Sequence, residues 1–288
     1  MKISSEILRL TTAAMGLLAK TAHAQNSSTV GPETGSLVVV GGGSLSDNIY
    51  QRVIDLAGGS GPASSIVVIP TADGAESYSQ DAAGAASFRR LGAGSVTVLH
   101  TYDPAVADTD EFVTPLLNAT GVWFGGGRQW RLVDAYAGTR AETAFRDVLG
   151  RGGVIGGSSA GASIQGSFLA RGDTANNQIM AGDHQVGFGY LKNTAVDQHV
   201  LVRNRVFDMF DILRVRPELL GFGIDENTAL VVSGDDAEVI GASYVAVYDG
   251  GFWSREGSEL KNLPDSSSVF YYLRNGDRYE LGARKVVE

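Results

Sequence analysis

One pattern recurs through the first half of the chain: a short apolar, mostly β-branched run, a break marked by glycine or proline, then a stretch of helical spacing. The runs lie at residues 37–40, 66–69, 96–99, 121–124 and 153–155, and the helical stretches at 46–56, 81–91, 110–117, 130–137 and 140–149. Successive side chains on a strand point to opposite faces, so a run that is apolar at every position must be covered on both sides. A parallel sheet with helices on both faces meets that demand, and its ligands gather at the carboxyl ends of its strands. Three breaks fall there: Gly41-Gly42-Gly43, Gly125-Gly126-Gly127 and the turn around Ser159. Beyond Leu220 short strands at 229–232, 237–240, 244–248, 269–273 and 279–281 alternate with Gly/Asp turns, which predicts antiparallel additions. Arg274-Asn275-Gly276-Asp277 reads as a hairpin turn between the last two. The fold class is therefore α/β, a mostly parallel sheet with antiparallel strands toward the C-terminus.

No linker, repeat or low-complexity segment divides the 288 residues, so 36–288 reads as a single domain. Ahead of it stand a polar leader, 25–35, and a removable segment, 1–24. Lys2 precedes an apolar, small-residue stretch at 10–19, and Ala22-His23-Ala24 offers a cleavage site before Gln25. The expectation is a signal peptide and a secreted, extracellular product. Two sequons, at Asn26 and Asn118, suit a glycoprotein. There is no cysteine, so disulfides and thiolate chemistry are excluded. Residues 1–24 carry Lys2, Arg9, Lys20 and Glu6, so their removal takes the net charge from −9 to −11. So acidic a chain argues against nucleic acid and anionic membranes as partners.

The most specific motif is Gly156-Gly157-Ser158-Ser159-Ala160-Gly161-Ala162, directly after the apolar run and ahead of residues 163–168, which read as helical. Gly157, Ser159 and Gly161 satisfy G-x-S-x-G, the elbow that exposes a nucleophilic serine at the top of a sheet. Backbone N–H groups at the following helix start suit an oxyanion. Ser159 is the candidate nucleophile, although the same turn also suits tight packing or a phosphate. Gly41-x-Gly43 lacks the third glycine of a dinucleotide fingerprint, Ser46 standing there, and no Walker lysine follows.

A serine nucleophile needs a base and the base an orienting group. The histidines are His23, His100, His184 and His199. His23 leaves with the signal, His100 ends a strand far upstream, and His184 sits in a polar turn. His199, closing Asp197-Gln198-His199, is the best base. Glu226, Asp225 and Asp197 are the candidate acids. No histidine pair has ligand spacing and there is no cysteine, so no metal is expected.

Gly126-Gly127-Arg128-Gln129, the 157–162 motif, Asp197-Gln198-His199 and Gly223-Ile224-Asp225-Glu226-Asn227-Thr228-Ala229, in this order, resemble the cyanophycinase and dipeptidase E family of serine peptidases. The resemblance runs from about Leu37 to the end. It implies a class I glutamine amidotransferase-like fold and an enzyme without metal or cofactor that cuts β-aspartyl-arginine polymers or small aspartyl peptides, working alone or as a homodimer. It also implies that Ser159, His199 and Glu226 are the triad, that Gly127 and Ala160 form the oxyanion hole, and that Gln129, Asp197, Gln198, Arg203 and Arg205 line the substrate cleft. Arg128, Val200, Val202 and Asp208 depart from the family pattern. They leave the triad intact but bear on recognition of an Asp/Arg polymer. Readings of another class are a non-catalytic ligand-binding protein and an esterase or amidase.

Overall fold

The computed structural model describes residues 29–255 and 266–287. The segment 1–24, the junction at Gln25 and the sequon at Asn26 lie outside the described residues. Strand and helix alternate as β1 (Ser36–Val40), α1 (Asp47–Leu56), β2 (Gly61–Ile69), α2 (Ala85–Arg90), β3 (Ala93–Val98), α3 (Pro104–Ala107), α4 (Asp110–Leu117), β4 (Gly121–Phe124), α5 (Trp130–Tyr136), α6 (Arg140–Gly150), β5 (Val154–Ser158) and the one-turn α7 (Ala160–Ser163). Then follow β6 (Gly166–Phe168), β7 (Leu191–Gln198), α8 (Met209–Leu213), β8 (Leu220–Ile224), β9 (Thr228–Ser233), β10 (Asp236–Gly241), β11 (Tyr244–Tyr248), β12 (Tyr271–Arg274), β13 (Arg278–Glu280) and β14 (Lys285–Val287).

Nine strands pair in the order β14-β13-β10-β9-β1-β5-β4-β2-β3. The five from β1 to β3 in that order are parallel, and β9, β10, β13 and β14 extend them antiparallel. The uninterrupted runs divide between two faces, as their composition requires. Leu37, Val39, Val67, Ile69, Val122, Phe124 and Ile155 join one core cluster with residues of α4, α5 and α6. Val38, Val40, Ile66, Val68, Trp123 and Val154 join the other with α1 and α2. Each such side chain contributes roughly 1.5–3 kcal/mol by leaving water, which is why the runs become central strands. Helices α4 and α6 start where Thr109 and Thr139 accept from Phe112 N–H and Glu142 N–H, caps worth about 1 kcal/mol each. Ser46 stands at the start of α1, but its hydroxyl is turned to the side chains of Asn48 and Asn227 instead of the helix.

Three expectations are corrected. Residues 163–168 are not a helix: α7 stops after one turn, and β6 runs along β7. A second sheet, β12-β11-β8-β7-β6, was not foreseen. It shares the first core cluster, where Leu191, Val196, Phe222, Ile224 and Val245 pack with Leu37, Val39 and Ile155. Nor do β12 and β13 form a hairpin: β12 pairs with β11 in the second sheet and β13 with β10 in the first. The turn between them bonds sideways, Gly241 N–H donating to Asn275 Oδ1 at 3.1 Å and Gly276 N–H to Val239 O at 2.8 Å. Those turn residues satisfy their polar groups against β10, so no ladder has to close across them.

Candidate active site

The site is assembled on the end of β1. Three consecutive carbonyls there, of Val40, Gly41 and Gly42, accept from the N–H groups of Ser159, His199 and Asn227, each at 2.9 Å. Ser159 follows β5, the parallel neighbour of β1. His199 and Glu226 follow β7 and β8, parallel neighbours in the second sheet. Carboxyl strand ends from two sheets thus converge on one loop.

Ser159 has φ 57° and ψ −110°, a conformation costing on the order of 1–3 kcal/mol that persists only where its surroundings impose it. Here they do: a Cβ on Gly157 would lie 2.3 Å from Gly161 O, so strand and helix approach closer than any other residue would permit. His199 is also left-handed, with φ 55°. Its Nε2 lies 2.8 Å from Ser159 Oγ and its Nδ1 2.5 Å from Glu226 Oε1. With Nδ1–H donating to the carboxylate, Nε2 is left to accept from the serine hydroxyl. Burial holds the His199 imidazole below its ordinary pKa; the hydrogen bond to Glu226 works the other way, and the charges of Arg203 and Arg205 reinforce the burial. A neutral imidazole between a hydroxyl and a carboxylate can take a proton from the hydroxyl.

The Gly41–Gly43 loop is the floor of this arrangement. A Cβ on Gly42 would sit 2.2 Å from His199 Cε1, and one on Gly43 would sit 2.5 Å from Glu226 Oε2. The glycines are there for the histidine and the glutamate, a role the sequence reading missed although the triplet stood at a strand end. Gly126 flanks Ser159, an added Cβ lying 3.4 Å from the serine Cβ. The N–H groups of Gly127 and Ala160 bond to no other described residue, so both are free to donate.

The remaining candidates separate. Asp225 accepts from Leu201 N–H and Val202 N–H, both at 3.0 Å, and from Ser243 Oγ at 2.7 Å, tying down the loop after His199. Asn227 Oδ1 likewise accepts from Ser46 N–H at 2.8 Å. His100 bonds Thr71 Oγ1 at 2.8 Å between Tyr78 and Tyr102. His184 bridges Asp134 and Asp183. Neither meets Ser159. Gln129, Asp197 and Gln198, expected to line the cleft, are instead 0%, 1% and 1% exposed, and Arg205 is 9% exposed. Gln129 Nε2 donates to Ala170 O at 2.6 Å, while its Oε1 has no partner among the described residues. Asp197 is held by Arg171, whose Nε and one terminal nitrogen reach its two oxygens at 2.7 and 2.9 Å. Arg171 was missed by the sequence reading; its only signal is a charge directly after the apolar Phe168-Leu169-Ala170. Gln198 Oε1 accepts from Arg205 at 2.9 Å, and Arg203 is exposed.

Fold and site define an α/β protein with a serine on a strand-to-helix elbow, in line with a histidine and a carboxylate. The sequence profile of Peptidase family S51 matches residues 37–240, and the chain belongs to that family. It is 30% identical over 257 residues to the cyanophycinase of Geminocystis herdmanii, covering 85% of this chain and 93% of that one. It is 29% identical over 208 residues to the cyanophycinase of Synechococcus elongatus, covering 69% and 64%. The crystal structure of a peptidase from an acI-B1 actinobacterium matches with a TM-score of 0.62 at 25% identity, covering 86% of this chain and 97% of that one. Among the described residues no helix is long and apolar enough to cross a membrane.

Proposed function

We propose that this chain is a secreted serine-type peptidase that hydrolyses aspartyl-containing peptides through an acyl-enzyme. Ser159 Oγ attacks the scissile carbonyl carbon as His199 Nε2 takes its proton. Glu226 orients the imidazole and stabilises the imidazolium. The N–H groups of Gly127 and Ala160 receive the oxyanion. His199 then protonates the departing amine, and a water activated by the same nitrogen releases the acyl group. Arg203 and Arg205 draw in a substrate carboxylate, since guanidinium binds carboxylates through paired donors; Gln198 braces Arg205, and Gln129 and Asp197 act from within the wall. The same reading relates the parallel sheet and its elbow to class I glutamine amidotransferases. Secretion rests on the leader ending at Ala22-His23-Ala24.

The observation that carries the chemistry is the unbroken series from Ser159 Oγ to His199 to Glu226, at 2.8 and 2.5 Å. Purified protein treated with a fluorophosphonate takes one label at Ser159, and Ser159→Ala takes none. Incubation with α- and β-linked aspartyl peptides, read by mass, gives cleavage that the label abolishes. Cleavage persisting in labelled protein would refute the mechanism.

A further inference from the structure

Three side chains tie the loop between β6 and β7 to the segment that follows Gly127, an oxyanion donor in the proposed mechanism. Gln129 Nε2 donates to Ala170 O at 2.6 Å, a terminal nitrogen of Arg128 donates to Asp173 O at 2.5 Å, and His184 reaches Asp134 on α5 at 2.8 Å. The loop is tightly folded at His184, whose N–H donates to Gly172 O at 3.0 Å. A Cβ on Gly172 would lie 2.1 Å from His184 O. The same loop supplies Arg171, which holds both oxygens of Asp197 two residues before His199. A displacement of the loop therefore reaches the oxyanion donor on one side and the base on the other.

Of the three ties, only His184 titrates near neutral pH. Its Nδ1 lies 2.9 Å from Asp183 Oδ1 and its Nε2 2.8 Å from Asp134 Oδ1. A carboxylate only accepts and a neutral imidazole has a single N–H, so both bonds are made together only by the imidazolium. Asp183 is ionised, since bonds from Thr174 and His184 hold its carboxyl down at about 2. The charged groups on the two packed segments are Arg171, Asp173 and Asp183 on the loop and Arg128, Arg131 and Asp134 opposite. Asp173 is taken by the amides of Ala175 and Asn176, Arg171 by Asp197, and Arg128 and Arg131 by backbone carbonyls. That leaves Asp183 and Asp134 to face the imidazole. Burial pulls its pKa down, but the bonds to these two carboxylates outweigh burial and carry it above the ordinary value.

We infer that His184 is a positioning residue for the catalytic cleft: as an imidazolium it fastens the β6–β7 loop to α5 and keeps Gly127 and His199 aligned on Ser159, and on losing its proton it lets that alignment loosen. This rests on the proposed peptidase reading and adds an alkaline control to it. The clamp is complete at pH below the His184 pKa and is lost as pH rises through it. The Asp134 and Asp183 side chains are 52% and 50% exposed, so each ion pair is modest, and losing both lowers kcat by about threefold to tenfold. The profile therefore steps down to a lower plateau. Deprotonation of a catalytic acid would instead give a continuing fall of about tenfold per pH unit.

The test follows kcat against pH with a cleaved aspartyl peptide, beside NMR titration of the His184 imidazole and the Gly127 amide. In the parent protein the three share one midpoint, on the alkaline side of an ordinary imidazole, and KM changes little across it because the oxyanion forms after binding. His184→Gln removes the step and sits on the lower plateau at every pH above the His199 limb. Asp134→Asn leaves Nε2 facing a neutral group and moves the imidazole, amide and kinetic midpoints down together. A step that survives His184→Gln, or that stays in place while the imidazole midpoint moves in Asp134→Asn, overturns the inference. So does a parent profile without a step, or a Gly127 amide indifferent to His184. If no peptide is cleaved the peptidase reading falls, and the Gly127 amide still decides whether His184 positions the site.

Discussion

A serine hydroxyl is nucleophilic only where its proton has a neutral acceptor within reach, and His199 supplies one because burial disfavours its charged form. On the proposed mechanism, Ser159→Ala and His199→Ala each lower kcat by roughly 10⁴–10⁶-fold, since either loss disables a group working as a unit. Glu226→Gln loses less, keeping the shape of the bond to Nδ1 but not its charge. Ser158→Ala is the control and stays near full activity; if it abolished labelling while Ser159→Ala did not, the elbow would be out of register by one residue. The pH dependence has a defined sign. Because burial holds His199 below its ordinary value, kcat/KM rises with pH through an inflection on the acid side of an ordinary imidazole. Arg203 pushes in the same direction as burial, so Arg203→Gln moves the inflection upward; a downward shift would mean that the titrating base is another group. The depressed value also makes His199 a source of acid lability. Its contribution to stability is complete above the unfolded pKa and is lost as pH falls from there through the folded one.

Elements set the geometry that these residues need. The loop after β1 has three carbonyls pinned to the three arms of the site and two glycines beneath the imidazole and the carboxylate. Gly42→Ala therefore drives a methyl into the His199 ring at a φ of +115°. Displacements on the order of 1 Å can cost about 100-fold in rate, and kcat for this variant falls by at least about that much. Circular dichroism should remain that of the parent protein, because the loop lies beyond the last core residue of β1. Full activity in folded Gly42→Ala would show that the loop does not position the histidine. On the opposite side, Asp225 holds the first turn after His199 through two amides, so its role is to keep φ +55° at the base.

At the scale of the molecule the two sheets share one apolar cluster, with Ser159 delivered by the first and His199 and Glu226 by the second. Parting the sheets would dismantle the site and expose that cluster together. Urea unfolding should accordingly give coincident transitions by tryptophan fluorescence, far-ultraviolet dichroism and loss of fluorophosphonate labelling. Labelling that disappears well before the other two would place the second sheet in a separately unfolding unit. A serine–histidine mechanism needs no metal, so activity survives EDTA; loss restored by Zn²⁺ would contradict it. Secretion is checked by N-terminal sequencing of protein from culture medium, which should begin at or near Gln25, and soluble intracellular protein retaining Met1 would count against it.

What the sequence determined by itself was whatever local composition can encode. Runs apolar at every position had to become two-faced strands, Gly157 and Gly161 marked a turn too tight for side chains, and the order of four short motifs indicated a serine, a histidine and a glutamate. The second sheet was beyond that reach. β7 carries Lys192, Asn193, Thr194, Asp197 and Gln198 and has no apolar run, because its polar side chains find partners such as Arg171 and Arg205 only once the chain has folded. For the same reason Arg274-Asn275-Gly276-Asp277 read as a hairpin: turn residues report a reversal of direction, not which sheet receives the next strand. The choice of Glu226 over Asp225, and the withdrawal of Asp197 behind Arg171, were likewise decided by tertiary structure. Carboxylates of equal local promise differ only in what distant segments place against them, and charge compensation in a buried site is a property of the assembled neighbourhood.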